Sequence, residues 1–220
     1  KDLKILPGYQ TGQGFDLSTA RVFPSEFSEL QMEYPIVLTR NKETGHFEPV
    51  VLLGLSKDEI LFLGPHGWDA LYIPLAIERQ PFLIATAGES GKDPGVSLDL
   101  DHPRVSQDEG EALFDAGGSS TEYLNQKIAL LDKLHRGLQH GKGFIDALLQ
   151  HDLLEQITLD IAFNNGTKKT LEGFYTIAEE RLYQLKGDAL ESLNQAGYLQ
   201  PVFMAVASLS RVRDIIERRN

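Results

Sequence analysis

The sequence predicts an α+β fold, in which an antiparallel, β-rich N-terminal half packs on a helical C-terminal half with an inserted β-hairpin. Short strand-like runs begin at Tyr34, where "YPIVLTR" and "FEPVVLLGL" flank a polar loop. After residue 122 the apolar residues recur at helical spacing instead. Asn165-Gly166 is the best hairpin signal in the chain and separates two further strand-like runs. We expect an N-terminal arm at 1–33, a β-rich subdomain at 34–116 and a helical subdomain with the hairpin at 117–220, together forming one compact unit.

The first half of the chain contains short elements bounded by proline and glycine. A short helix is predicted to begin at Ser25, after Pro24. The two runs named above form a hairpin around "NKETGH", and "DEILFL" is predicted as a third strand. Pro74 suits the first turn of a short helix, "PLAIER", and Pro81 ends it. "FLIATA" and "GVSLDLD" are predicted as the strands that follow.

The second half is predicted to be mainly helical. Apolar residues at helical spacing mark a first helix: Leu124, Ile128, Leu131, Leu134 and Leu138. We expect "HGKG" to end this helix and a second one to follow near Phe144 to His151. "ITLDIAF" and "TLEGFYTI" are the strands of the hairpin. Capping boxes at Thr176–Glu179 and Asp188–Glu191 are predicted to begin two later helices, with Gly197 after the second and Pro201 opening the last helix.

The composition limits the classes of function. The 220 residues carry 21 Lys and Arg against 32 Asp and Glu, and the net charge of −11 repels the phosphate backbone of nucleic acid. The absence of cysteine excludes disulfides and thiol catalysis. No apolar run approaches the roughly 18 residues that a membrane span needs. The chain begins with Lys1, which leaves a trimmed start open, but residues 1–15 lack the apolar region of a signal peptide, so we expect a cytoplasmic location.

One stretch, "GWDALYIPLAIERQPFLIA" from Gly67 to Ala85, is rich in side chains that recognise partners. Trp, Tyr and Arg are enriched at binding hot spots, and prolines lower the entropy cost of ordering a binding surface. The side chains concerned are Trp68, Tyr72, Arg79 and Phe82. The alternative is that Trp68 and Phe82 fill the core of the β-rich half, with Tyr72 at its rim and Arg79 paired with an acid.

The segment "DLDHPRVSQDEGEALFD" is the second candidate site. Its carboxylates could bind a hard cation, with Asp99, Asp101 and His102 as weak candidate ligands, or could supply a hydrolytic pair. It lacks the spacing of an EF-hand loop, and a solvated strand end followed by a loop is the alternative. No histidine pair has the spacing of a zinc site, and no nucleophile or nucleotide-binding motif is present. The sequence therefore favours a non-catalytic protein and implies no cofactor, while an enzyme stays open.

Several segments, taken in order along the chain, resemble the bacterial SapC family: "YPIVLT", "PVVLLGL", "GWDALYIPLAIERQPFLIA", "DEGEALFD", "YLNQKIALL", "LLEQITLDI", "GFYTIAEERLYQL" and "GYLQPVFMAVASL". The resemblance covers Tyr34 to Arg218 and is specific through the combination of these motifs. The family often has two basic residues before its Pro-Phe pair, whereas this chain has Glu78-Arg79-Gln80. If a basic pair contacts an anionic partner in the family, Arg79 alone is left to do so here.

The resemblance implies two different roles. The family name implies a surface-layer role. Family members are also commonly encoded near flavin-dependent tryptophan-halogenase-like proteins, cupin-like oxygenases and outer-membrane receptors, which implies a cytoplasmic accessory to the uptake or modification of a small molecule or peptide. Halogenase-like or oxygenase-like proteins are then candidate partners.

Three hypotheses for the function follow. We favour a non-catalytic binding protein for a peptide, a protein or a small molecule. The alternatives are a metal-dependent enzyme that uses the acidic segment 99–115, and a structural protein associated with a surface layer. The binding surface expected under the first hypothesis combines the aromatic stretch with the acidic box: Trp68, Tyr72, Arg79, Phe82, Glu109, Glu111 and Phe114.

Overall fold

The computed structural model describes residues 2–9, 17–85 and 95–220. The chain divides into two compact units, each assembled from three stretches of sequence. Unit 1 comprises Lys1–Asp16, Leu63–Asp69 and Leu75–Arg136, and unit 2 comprises Leu17–Phe62, Ala70–Pro74 and Gly137–Asn220. The two units therefore alternate along the sequence.

The predicted α+β class is confirmed, with short strands in the first half and helices around an inserted hairpin in the second. The strands are β1 (Lys4–Ile5), β2 (Thr19–Arg21), β3 (Ile36–Arg40), β4 (Phe47–Leu52), β5 (Leu63–Gly64), β6 (Gly67–Trp68), β7 (Phe82–Ala85), β8 (Gly95–Leu98), β9 (Val105–Ser106), β10 (Glu111–Ala112), β11 (Leu154–Ala162) and β12 (Lys168–Ile177). The α-helices are α1 (Phe27–Leu30), α2 (Leu75–Glu78), α3 (Glu122–Gln150), α4 (Glu179–Gln184), α5 (Asp188–Gln195), α6 (Leu199–Ser208) and α7 (Val212–Arg219). Short 3₁₀ turns at Pro24–Glu26 and Leu209–Arg211 lead into α1 and α7.

The described part of unit 1 contains three small antiparallel sheets. β1 lies between β9 and β10, β5 pairs with β6, and β7 pairs with β8. An apolar cluster connects β1, β7 and the end of β10 to the first half of α3 and consists of Ile5, Phe82, Leu113, Leu124 and Leu131. Gly110 allows the turn before β10 to approach β1 closely. Its φ is +116°, and a Cβ there would lie 2.5 Å from the carbonyl oxygen of Ile5.

Unit 2 is built on one antiparallel sheet of five strands, in the order β11-β12-β3-β4-β2. The predicted hairpin around "NKETGH" is the pair β3–β4, and the predicted hairpin at Asn165-Gly166 is the pair β11–β12. The turn suits glycine because Gly166 has a φ of +83°. The predicted alternation along β11 is confirmed, since Ile157, Leu159 and Ile161 are buried or half-buried and the residues between them are exposed.

Helix α6 packs against α1, β3 and β12 within unit 2. Around it the second half of α3 adds aromatic contacts. The ring of Phe144 meets those of Phe27 and Tyr198 nearly edge-on, with centroids 5.8 and 5.7 Å apart. Phe27 and Phe144 are both 1% exposed, so these contacts belong to the core of the unit.

The prediction that "HGKG" ends a helix is wrong, because α3 is uninterrupted. Two of its glycines, Gly137 and Gly143, lie against side chains that leave no room for a methyl group. A Cβ on Gly137 would lie 2.7 Å from Cγ of Phe23, and a Cβ on Gly143 would overlap the hydroxyl of Tyr198. Tertiary packing thus outweighs the helix-propensity cost of glycine, which is about 1 kcal/mol per residue.

Three other local predictions fail for identifiable reasons. Within "DEILFL" only Leu63 belongs to a strand. Phe62 is fully buried, so the run is apolar because it contributes to the core and not because it forms a strand. Thr176 does not cap a helix, because its backbone pairs with Glu155 in the sheet and α4 starts only after Ala178. Asp188 is the first residue of α5 and not its cap, whereas Gly197 does follow that helix with a φ of +74°.

Within the three described ranges, none of the helices combines the length and the apolarity that crossing a lipid bilayer requires.

Candidate functional site

Three of the four candidate residues from the aromatic stretch lie in unit 1. Trp68 is half-buried in β6, and its ring meets that of Tyr9 edge-on with centroids 5.8 Å apart. Phe82 is 1% exposed and belongs to the apolar cluster of the unit. Arg79 follows α2, is half-buried, and donates an Nη1 hydrogen bond of 2.8 Å to the carbonyl oxygen of Phe82. Phe82 is thus a core residue, and its carbonyl oxygen holds the side chain of Arg79 in place.

Tyr72, the fourth candidate, lies in unit 2 and fixes the segment 70–74 there. Its hydroxyl donates to the buried carboxylate of Glu26 at 3.1 Å, and its N–H donates to Glu33 at 3.0 Å. Its carbonyl oxygen accepts from the hydroxyl of Tyr34 at 2.6 Å. These bonds give Tyr72 a structural role within its own unit.

Arg104 is the centre of a group of polar side chains in unit 1. It is only 4% exposed, and its Nε and Nη1 donate to the carbonyl oxygens of Leu6 and Gln80 at 2.9 and 3.2 Å. Its guanidinium carbon lies 5.2 Å from the centre of the Tyr9 ring. Since Tyr9 also contacts Trp68, the aromatic stretch is connected to Arg104 through that ring.

The first turns of α3 contribute two further side chains. Lys127 donates to the carbonyl oxygen of Glu78 at 3.0 Å, and its Nζ lies 3.5 Å from the carboxylate of the same residue. The ring of Tyr123, one turn earlier, lies 6.2 Å from that of Phe82 and 5.8 Å below Lys127 Nζ. The hydroxyl of Tyr123 is buried and has no hydrogen-bond partner among the residues that the structure describes.

We call the residues that interact through these contacts and through their charges the Arg104 cluster: Tyr9, Glu78, Arg79, His102, Arg104, Tyr123 and Lys127. His102 belongs to it because its Nδ1 accepts from the N–H of Arg104 at 3.2 Å and its Nε2 lies 3.3 Å from Oε1 of Gln80.

Burial shifts the pKa of most members of the cluster. Burial raises the pKa of Tyr9 to about 12 and also raises that of Tyr123, so both phenols stay neutral at physiological pH. Burial lowers the pKa of Arg79 and of Lys127. Burial, and then the charge of Arg104, lower the pKa of His102. Such shifts concentrate where proteins bind ligands or perform chemistry.

The acidic segment forms a rim of exposed side chains and turns. Glu109 and Glu111 are exposed, and Phe114 is 39% exposed beside an isolated bridge to Ser120. The N–H of Asp101 donates to Oδ1 of Asp99 at 3.2 Å, which is a local turn contact. Within the described ranges no three His, Asp or Glu side chains come together in a way that could hold a metal ion.

Sequence reasoning missed Tyr9, Arg104, Tyr123 and Lys127 as site residues. The carbonyl oxygens that Arg104 binds are 98 and 24 positions away in the sequence, so no local sequence pattern predicts these contacts. The spacing of four between Tyr123 and Lys127 shows that they share a helix face, but it does not show which element lies opposite.

Unit 2 contains a groove, which sequence reasoning also missed. This groove of about 320 Å³ lies between β4 and the second half of α3, and its apolar lining includes Phe23, Phe47, Leu138, Ile145 and Leu149. An ion pair of 3.2 Å between Arg21 and Glu48 lies at its edge. The volume suits a small ligand, but the charged groups around it carry no clear preference for one chemistry.

A family model described as SapC matches residues 1–215 of the chain, so the chain belongs to the SapC family. No curated protein and no solved structure is significantly similar to it.

Proposed function

We propose that this SapC-family chain is a non-catalytic binding protein that holds a small molecule, a peptide or a segment of a protein at the Arg104 cluster. The proposal is supported by three cations in the cluster, the buried Arg104 and the half-buried Arg79 and Lys127. Of these, Arg104 lies beside Tyr9, whose ring forms an aromatic pair with that of Trp68. Trp68 and Arg79 are the ligand contacts we retain from the aromatic stretch. Glu109, Glu111 and Phe114 are proposed as contacts at the rim, since all three are exposed.

A binding role fits the way in which the cluster is fixed. Arg79 and Arg104 donate to main-chain carbonyl oxygens, which hold their positions without neutralising their charges. Both phenols and His102 are kept neutral, so they serve as hydrogen-bonding groups. A prearranged set of donors lowers the entropy cost of binding. The cytoplasmic location and the halogenase-like or oxygenase-like partners that we propose rest on the family resemblance described above.

The experiment is a thermal-shift screen of the purified chain against amino acids, short peptides, flavins, 2-oxoacids and divalent cations. A ligand at 100 times its dissociation constant stabilises the folded state by about 2.7 kcal/mol, which is readily measured. We expect such a ligand to lose its effect on the Arg79→Gln and Trp68→Ala variants. Arg213→Gln is the matched control, because Arg213 is exposed on α7 in unit 2.

Two outcomes would contradict the proposal. A ligand whose effect survives in both Arg79→Gln and Trp68→Ala, while the melting temperatures of the free variants are unchanged, binds elsewhere. Conversion of the ligand to a product by the wild-type chain, but not by the variants, would make the site catalytic. Circular dichroism of each free variant separates loss of binding from loss of fold.

A further inference from the structure

The Arg104 cluster contains more positive than negative charge in a chain that is acidic overall. Its cations are Arg79, Arg104 and Lys127, its carboxylate is Glu78, and the net charge of the whole chain is −11. Lys127 and Glu78 form an ion pair with each other. Two guanidinium groups are therefore left without a carboxylate inside the cluster.

The geometry shows how those two guanidinium groups are held. Within the described part of the chain neither forms an ion pair, and both bind main-chain carbonyl oxygens instead. Asp99 and Glu111 also act on members of the cluster through their charges, but both are exposed and their fields are screened by water. Buried charges are normally paired, and among the described residues the buried guanidinium group of Arg104 hydrogen-bonds to carbonyl oxygens and forms an ion pair with no carboxylate.

The buried hydroxyl of Tyr123 is an independent observation at the same place. Buried polar atoms without a partner are rare, and each one requires an explanation. Tyr123 packs against Phe82 through its ring, and Arg79 binds the carbonyl oxygen of that same residue. A neutral phenol is a hydrogen-bond donor, and the charge of Arg104 acts on Tyr123, so an anion is a suitable acceptor for this hydroxyl.

We infer that the Arg104 cluster binds the ligand through a carboxylate group, which Arg79 contacts, Arg104 attracts from its buried position and the hydroxyl of Tyr123 meets as a second donor. This inference rests on the proposed function and names the chemical class of its ligand. A planar carboxylate matches the paired N–H donors of a guanidinium group. The acidic chain as a whole disfavours a more highly charged anion such as phosphate.

The test compares acids with their uncharged counterparts at constant ionic strength. The probes are benzoate with benzamide, indole-3-acetate with indole-3-acetamide, and a tripeptide with a free or an amidated C-terminus. Binding is measured by thermal shift and by NMR titration with millimolar probe. We expect an acid of at least one pair to bind and its amide not to bind. The tripeptide pair distinguishes a peptide terminus from a small acid as the source of the carboxylate.

Two variants show whether the named groups carry the binding. Removing a hydrogen bond to a charged group costs enough for Tyr123→Phe to weaken acid binding on the order of 10-fold. The free Tyr123→Phe protein should be at least as stable as wild type, because the hydroxyl has no partner among the described residues. Arg79→Gln should abolish the preference of the site for acid over amide. Tyr183→Phe is the control, since Tyr183 is 68% exposed.

The outcomes separate this inference from the proposed function. If acid and amide bind equally and both lose binding in Trp68→Ala, the binding function stands and the carboxylate inference is wrong. If phosphate or sulfate competes as well as the acids, the site is a general anion site and the inference is also wrong. If no probe of any pair binds, both the carboxylate inference and the site that we propose are overturned.

Discussion

Single residues on α3 decide how closely the helix approaches its neighbours in unit 2. Gly137 and Gly141 both lie next to Phe23, but at different distances. A Cβ on Gly137 would lie 2.7 Å from Cγ of Phe23, whereas a Cβ on Gly141 would lie 3.6 Å from Cδ1 of the same ring. The first distance is a clash and the second is an ordinary van der Waals contact. Phe23 is 3% exposed and has little freedom to move away.

The two glycines should therefore respond to alanine with opposite signs. Gly→Ala within a helix favours folding by up to about 1 kcal/mol, while overpacking costs about 1–3 kcal/mol. We expect Gly137→Ala to lower the free energy of unfolding by about 1 kcal/mol or more, because the clash exceeds the gain in propensity. The measurement is urea unfolding followed by circular dichroism.

Gly141→Ala is the matched control on the same helix and beside the same ring. We expect it to leave stability unchanged or to raise it by up to about 1 kcal/mol. Equal effects of the two substitutions would show that helix propensity, and not contact with Phe23, governs both positions.

The residue scale is where sequence reasoning succeeded least. Trp68, Tyr72, Arg79 and Phe82 are predicted as one group because their types and their spacing are visible in the sequence, and three of them, Trp68, Arg79 and Phe82, lie in unit 1. Tyr72 belongs to the other unit, because Glu26, Glu33 and Tyr34 hold it there. The partners of Arg104 could not be predicted, since a single sequence does not show which main-chain oxygens a distant fold brings together.

At the scale of elements, α6 and β3 are joined by one buried hydroxyl. Ser208 is fully buried, and its Oγ accepts a hydrogen bond of 2.9 Å from the N–H of Ile36, the first residue of β3. The same hydroxyl donates to the carbonyl oxygen of Ala205 at 2.6 Å. A side chain at the end of a helix thus supplies the acceptor that the start of a strand requires.

Removing the hydroxyl of Ser208 should lower the free energy of unfolding. Ser208→Ala leaves the N–H of Ile36 buried without an acceptor, and such a group destabilises a protein by about 1–3 kcal/mol. We expect the urea midpoint to fall accordingly and the amide of Ile36 to exchange its hydrogen faster.

Ser210→Ala serves as the comparison. Ser210 makes the same type of bond, from its hydroxyl to the carbonyl oxygen of Ala207 at 2.9 Å, but it is exposed and accepts nothing from β3. Its substitution should change stability by no more than about 0.5 kcal/mol. A loss as large as that of Ser208→Ala would mean that the bond within the helix matters and the link to β3 does not.

Elements were more predictable than residues, for a physical reason. The hairpins β3–β4 and β11–β12 were found because alternation and turn residues are local signals. The break predicted in α3 at "HGKG" rests on helix propensity alone, whereas Gly143 in that run lies against the hydroxyl of Tyr198, which leaves no room for a Cβ. Local rules fail where packing across the fold decides the conformation.

For the whole molecule, two members of the Arg104 cluster make the stability of the folded chain depend on pH. Burial raises the pKa of Tyr9 from 10.0 to about 12, so the folded state holds this proton more tightly than the unfolded state does. That contribution is fully present below pH 10.0 and is lost as the pH rises from 10.0 towards 12. His102 has its pKa lowered from 6.5, so its contribution is present above pH 6.5 and declines as the pH falls below that value.

The free energy of unfolding should therefore fall above pH 10.0 and below pH 6.5, and a different variant tests each of these two losses. We expect Tyr9→Phe to lessen the loss above pH 10.0 and His102→Gln to lessen the smaller loss below pH 6.5. Urea midpoints measured from about pH 5 to about pH 11 test both sides. A Tyr9→Phe profile that runs parallel to wild type on the alkaline side would show that Tyr9 titrates freely in the folded chain.

The alternation of the two units along the sequence has a consequence for biosynthesis. Every stretch of unit 1 has left the ribosome once Arg136 emerges, whereas unit 2 still lacks everything from Gly137 onward, including β11, β12 and α6. Since β3 pairs with β12 and receives Ser208 from α6, the sheet of unit 2 can be completed only after α6 has been synthesised. Until then the edge of β3 that pairs with β12, at Leu38 and Thr39, lacks its partner strand.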